Sequence, residues 1–199
     1  MGHTVAATLG TSGLAAQQII SAVFYALIPI ADSLSLAAQS LLPAVLEDNT
    51  TTRLALRNFA VSAVIVGGAL TLVTATLPWT VLWCTTDWTI IQLVRSVVPL
   101  LGSIFLFHGI FCGAEGVLLA LKDLTFLGRM YSIFCVVVPT LFLKVKWRVL
   151  AKQGATSVRE IWAIFLGYQA FRITAWVTRV LWLQRKRTRK KMSLLQTGN

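Results

Sequence analysis

The chain has 199 residues, of which 56% are hydrophobic and only 13% charged, with a formal net charge of +11 and a mean hydropathy of +0.75. Soluble domains carry about 25% charged residues, so this chain lacks the polar groups to cover a surface in water, and its solvent must be lipid. The basic excess is no nucleic-acid footprint: six basic residues lie in Arg185–Lys191, "RKRTRKK", directly after the last apolar run, where such a stretch reads as a cytoplasmic anchor on anionic lipid.

Residues 1–15 read as an N-terminal loop. They show no charged region followed by a short apolar core and a cleavage site, and "MGHTVA" lacks the Ser or Thr that myristoylation needs. "GTSG" at Gly10–Gly13 lacks the G-x-S-x-G spacing of a nucleophile elbow and reads as a short loop before the first helix.

A membrane-spanning helix needs about 20 apolar residues. Five runs qualify. Helix A is expected over about 16–46, ending at "EDNTTTR"; helix B over about 55–84, ending at "TTDW"; helix C over about 88–121, ending at "KD"; helix D over about 124–143, ending at "KVKWR"; and helix E over about 158–183, followed by the basic tail 184–199. The runs are long and lack period-two alternation, which excludes sheet. The fold class expected is all-α: a polytopic membrane protein built as a bundle of about five transmembrane helices spanning 16–183.

Pro29, Pro78, Pro99 and Pro139 fall inside these helices or near their ends and predict kinks. Trp79, Trp83 and Trp88 cluster at the B–C boundary, and Trp147 and Trp162 flank the D–E loop; all five read as interfacial anchors. With the tail inside, the A–B loop (Arg53, Arg57) and the C–D loop (Lys122, Arg129) also lie inside, as the positive-inside rule prefers. The D–E loop, with Lys144, Lys146, Arg148, Lys152 and Arg159, then lies outside and conflicts with that rule. Gln169, Arg172, Trp176 and Arg179 share one face of helix E, which gives an alternative in which E lies in the interface as an amphipathic helix.

Within helix A, Gln18, Tyr25, Asp32 and Gln39 recur every seven residues and fall on one stripe. A charged Asp at mid-depth costs about 2.5–3.5 kcal/mol on insertion scales, so the stripe is expected to face the bundle or a wet cavity. There the carboxylate can shed its charge by taking up a proton, which is what a coupling site requires. On helix C, His108 and Glu115 share a face at i,i+7, with Gly113 and Gly116 allowing close approach of another helix; the pair reads as a candidate proton relay, or Glu115 as an acid that only hydrogen-bonds between helices. Arg172 of helix E is a further candidate, with snorkelling to a headgroup as its alternative. The candidate pathway residues are therefore Asp32, Gln39, Tyr25, Gln18, Glu115, His108 and Arg172.

Cys84, Cys112 and Cys135 show no C-x-x-C spacing and no neighbouring His pair, so neither a metal site nor a disulfide is expected. No P-loop, dinucleotide fingerprint or H-E-x-x-H motif occurs, and the chain does not read as an enzyme.

Three stretches resemble a known family. "LGTSGLAAQQI" with "ADSLSLAAQSLLPA" resembles the seventh-to-eighth helix passage of multidrug and toxic compound extrusion (MATE) transporters, DinF-like branch; "FCGAEGVLLALKDLTFL" resembles the end of the tenth helix in plant and algal members; and "VREIWAIFLGYQAFRITAWVTRV" resembles the last helix. The likeness covers about residues 9–183 and rests on the order and spacing of the stretches. It implies that helices A to E are helices eight to twelve, the C-terminal lobe of a twelve-helix fold. It places Asp32 and Gln39 on the helix-eight pattern and Glu115 and Asp123 on the helix-ten pattern. The implied function is secondary-active antiport of a small organic solute against H⁺ or Na⁺, with no other cofactor. The implied partners are membrane lipids and either a missing N-terminal lobe or a second half-transporter; nucleic acid is not among them. The implied location is a multi-pass membrane protein of the plastid envelope or plasma membrane. A non-transporting membrane scaffold and a lipid-headgroup flippase that holds its substrate with the basic groups of helix E are the alternatives.

Overall fold

A computed structural model describes residues 2–46, 48–151 and 156–197; Lys152 of the basic D–E loop lies outside them. Among the described residues there is no strand, and the chain is an all-α polytopic membrane protein of five long helices. Helix α1 runs over Gly2–Leu41 and is followed by a single 3-10 turn, Pro43–Val45. Residues expected as an N-terminal loop are thus helical, and "GTSG" sits inside the helix at a kink where Gly10 takes φ 68° and ψ −164°. Glycine reaches that positive φ without steric penalty, so two helical stretches join across a kink at this non-helical residue.

Helix α2, Asn49–Ala75, begins six residues before the expected helix B. The Asp48 carboxylate caps it, accepting from the backbone N–H of Thr50 (3.1 Å) and Thr51 (3.0 Å), and a capped run of threonines can extend a helix that apolarity alone would start later. The helix breaks at Thr76. Pro78 has no N–H to continue the ladder but suits the first turn of a new helix, and the short α3, Leu77–Thr80, carries the chain on to a 3-10 turn at Val81–Trp83. Helix α4, Trp88–Ala120, starts at Asp87, which accepts from Thr89 N (2.8 Å). A three-residue turn joins it to α5, Leu124–Leu150, with Lys122 at φ 58°. Helix α5 continues seven residues past the expected end at 143, taking Lys144, Lys146 and Arg148 into its last turns. Helix α6, Val158–Thr197, likewise continues through most of the tail that was expected as a separate segment.

Thr8–Leu41, Thr50–Trp83, Trp88–Ala120 and Leu124–Leu150 are each long and apolar enough to cross a membrane. Helix α6 is not among these; polar residues, Gln169 and Arg172 among them, interrupt its apolar run. Its course nevertheless follows the bundle. Near its start, Trp162 donates from Nε1 to Gln17 Oε1 of α1 (2.8 Å); near residue 184 it lines a cavity with Leu46, Thr52 and Arg53 at the α1–α2 junction. The face carrying Gln169 and Trp176 is buried, so the amphipathic face is turned onto the bundle and not onto the membrane interface. Trp162 is buried as well, against its expectation as an anchor, whereas Trp79, Trp83, Trp88 and Trp147 are exposed as interfacial residues should be.

Helix α4 is the centre of the bundle: α1, α2 and α6 each pack along it, and α5 packs more lightly at the edge. Close approach is achieved with small residues, as expected where lipid supplies no hydrophobic drive between helices. A Cβ on Gly109 would stand 2.6 Å from Ala63 O of α2, and one on Gly116 would stand 2.7 Å from the Ser35 backbone of α1. Thr71 adds an interhelical hydrogen bond to Gly102 O (2.8 Å). The outward faces are lined by large apolar residues such as Leu72, Val136 and Phe171, as acyl-chain solvent requires.

Candidate functional site

Asp32 lies about 14 Å from the end of α1 at ~1.5 Å rise per residue, well inside the span Thr8–Leu41. Helix α4 passes directly beside it. The Cys112 thiol donates to Asp32 Oδ1 (3.3 Å), and His108 Nε2 stands 3.5 Å from the same oxygen. His108 and Cys112 are one helical turn apart, and Nε2 and Sγ are 3.5 Å from each other. His108 is buried and Asp32 half-exposed, at 8% and 51% side-chain exposure. The carboxylate therefore bridges a dry interior and the outer surface of the bundle.

Behind His108 the network continues into α6. Arg172 Nη1 donates to Gln169 Oε1 (3.0 Å), and Gln169 Nε2 faces His108 Nδ1 (3.4 Å). A guanidinium can only donate, so it fixes which way the Gln169 amide points. The amide NH₂ is then directed at Nδ1, and a neutral imidazole that accepts at Nδ1 carries its proton on Nε2, facing Asp32. The chain Arg172, Gln169, His108, Asp32 is a directed series of donors that ends on one carboxylate oxygen. Arg172 Cζ stands over the Phe111 ring, 3.5 Å from its centroid, so the guanidinium is engaged within the bundle by a cation–π contact instead of snorkelling. Its Nε, and Nε1 of the neighbouring Trp176, are buried without a hydrogen-bond partner among the described residues.

The fold separates the remaining candidates from this cluster. Gln18 and Tyr25 share the stripe with Asp32 but face outward, so the stripe lies on the flank of α1 and, of the two settings expected for it, the bundle or a wet cavity, does not take the bundle interior. The reason is the narrowness of the buried face: Ala16, Ile20, Phe24, Ala31 and Ala38 take it, and the stripe runs beside them. Gln39 donates within α1 to Ser35 O and Oγ (3.2 Å each). Glu115 accepts from the Tyr131 hydroxyl of α5, while its expected relay partner His108 turns to Asp32 and Gln169. Three contributors escaped the sequence reading. In sequence Gln169 shows only as part of a polar face, and Gln17, which pairs with Trp162, looks no different from its neighbour Gln18. Cys112 lacks metal-type spacing, but an imidazole and a thiol at i,i+4 on a helix share a face, and that signal could have found it.

The ligand atoms of Asp32, His108 and Cys112 lie within 4.8 Å of one another, so a carboxylate, an imidazole and a thiol converge where no metal-type cluster was expected. Zn²⁺ accepts all three ligand types, but it would need a bare Nε2, whereas Gln169 and Arg172 direct the His108 proton to that atom. Na⁺ would find a single oxygen-bearing side chain, and hard cations are held by oxygen. What the geometry shows is a carboxylate with one exposed side, held on the other by an imidazole and a thiol. No family model, curated protein or solved structure matches the chain.

Proposed function

We propose that the chain is part of a secondary-active transporter that couples movement of a small organic solute to protons through Asp32. One observation carries this reading: a carboxylate well inside a membrane-length helix is half-exposed on one side and hydrogen-bonded on the other to a buried thiol–imidazole–amide–guanidinium series. Intramembrane acids are costly and mark ion or proton pathways. The resemblance to the C-terminal lobe of MATE transporters agrees with this reading. In it, the outward-facing stripe Gln18, Tyr25 and Asp32 forms one wall of a cavity whose other wall is a second lobe or a second copy, and protonation of Asp32 releases its hold on His108 and Cys112.

The test is reconstitution in liposomes with ethidium as the organic-cation probe and an imposed pH gradient. Asp32→Asn should abolish gradient-driven ethidium movement while ethidium binding survives. Gradient-driven flux equal to that of the unchanged protein would remove Asp32 from the mechanism.

The same outward stripe supports a second reading, a membrane scaffold whose α1 flank is a helix–helix interface. Crosslinking from both Tyr25→Cys and Asp32→Cys to a single partner, with neither thiol reached by water-soluble reagents, would favour it. The flippase reading is weakened by the arginines it needs, since Arg172 is engaged by Gln169 and Phe111, and Arg179 by Asp123.

A further inference from the structure

Helices α2 and α6 both pack on α4 but stand apart from each other, leaving a groove between them. Its floor is low because α4 contributes Gly113 and Ala114 there. Its walls include Ala60 and Val64 of α2 and Val177 and Leu181 of α6. The groove encloses a cavity of about 250 Å³. Its lining is apolar except at one end, where Gln184 closes it. At that end a second cavity of about 80 Å³ begins, sharing Leu56 and Gln184 with the first and lined otherwise by Leu46, Thr52, Arg53, Arg187 and Thr188. The two cavities form one groove whose character changes abruptly, from hydrocarbon to two guanidiniums and two hydroxyls with no carboxylate in the lining.

The place of that change is informative. Thr52 and Arg53 belong to the first turns of α2, and Gln184 and Arg187 follow the last apolar turn of α6. The apolar limb therefore runs at acyl-chain depth and the basic limb at headgroup depth. A groove open to the bilayer is filled by what surrounds it, and a soluble phosphate compound would leave the apolar limb empty. Basic clusters just beyond membrane helices select anionic headgroups, and paired guanidiniums match phosphate oxygens.

We infer that the α2–α6 groove is a binding site for one anionic phospholipid of the surrounding bilayer, with an acyl chain in the limb floored by Gly113 and Ala114 and the phosphate between Arg53 and Arg187. The lipid acts as a wedge that fills the gap α4 leaves between α2 and α6. The site is independent of Asp32 and of the transport reading.

The test uses the purified full chain in nanodiscs of phosphatidylcholine, titrated with palmitoyl-oleoyl phosphatidylglycerol, with retained lipid counted by native mass spectrometry. Arg53, Arg187 and Ala60 are all exposed, so substitutions there leave the core intact. The unchanged chain should retain one phosphatidylglycerol per protein. Arg53→Gln with Arg187→Gln should weaken retention about thirty-fold, the effect of two basic residues at a membrane surface. Arg185→Gln with Lys186→Gln removes the same charge outside the cavity and should leave retention unchanged. Ala60→Trp keeps both guanidiniums but fills the apolar limb, and it too should abolish one-to-one retention. Equal losses from the two charge-matched pairs, or full retention in Ala60→Trp, would overturn the site. So would efficient disulfide crosslinking between copies through Ala60→Cys, which would show protein and not lipid in the groove.

Discussion

Removing Arg179 tests how α6 is held in the bundle although it is less apolar than its neighbours. Arg179 donates from Nε to Asp123 Oδ2 (2.6 Å) and from Nη2 to Oδ1 (3.2 Å), a two-point contact between α6 and the α4–α5 turn. The side chains are 30% and 14% exposed, between the surface regime, where a pair contributes about 0.2–1 kcal/mol, and the buried regime, where removing one partner costs about 3–5 kcal/mol. Two charge-assisted bonds at that burial place the cost of Arg179→Met at about 2 kcal/mol. Loss of the guanidinium from the faces of Trp182 (4.5 Å) and Phe126 (5.1 Å) adds roughly 0.5 kcal/mol. Asp123 precedes α5 but makes no side-chain cap to it, so Asp123→Asn removes the charge without uncapping a helix. A double-mutant cycle on unfolding in bicelles, followed by circular dichroism as denaturing detergent is added, should give a coupling energy of about 1.5 kcal/mol. A coupling below about 0.5 kcal/mol would refute the reasoning, since the pair would then be an ordinary surface contact and α6 would need another explanation for its place.

Three further outcomes follow from the packing. Gly109→Ala, whose Cβ would meet Ala63 O at 2.6 Å, should destabilise the bundle by about 1–3 kcal/mol, whereas Gly128→Ala, with nothing within 4 Å, should not; equal effects on detergent unfolding would contradict the α2–α4 crossing. A membrane-impermeant maleimide should label exposed Cys84 and leave buried Cys112 unlabelled, and rapid labelling of Cys112 read by peptide mass would count against its place beside Asp32. Trp162→Phe removes the 2.8 Å bond to Gln17 and should cost about 1–2 kcal/mol; no change in stability would mean that α6 is not docked on α1 as described.

How much of this could be read from residues alone depended on whether the information was local. Helix C was placed within one residue because Asp87 and the "KD" turn bracket it with local signals. The starts of α1 and α2 were misplaced because capping by Asp48 and a bend at Gly10 extend helices past their apolar runs, and hydropathy registers neither. The Asp32 stripe is legible, since a repeat of seven is visible in any helix, but a repeat cannot by itself tell a flank from a buried face. Which flank of α1 is buried depends on where Gly116 lets α4 approach Ser35, a contact about 80 residues away in sequence. For the same reason Glu115 was paired with His108 by shared face, although Tyr131 and Asp32 reach them from other helices. The inward turn of Arg172 and Arg179 was hidden because a charged residue on a membrane helix looks the same in sequence whether it snorkels, binds an acid or stacks on a ring.

The central proposal is that Asp32, well inside a membrane-length helix and in contact with His108 and Cys112, is the proton-coupling acid. Infrared difference spectroscopy of the reconstituted protein during a pH change reads this without knowledge of any solute. The account predicts a protonated-carboxyl stretch that appears on acidification, is absent in Asp32→Asn and shifts in frequency in His108→Ala. A carboxyl band that is unchanged in Asp32→Asn, or one in the unchanged protein that ignores external pH, would contradict it.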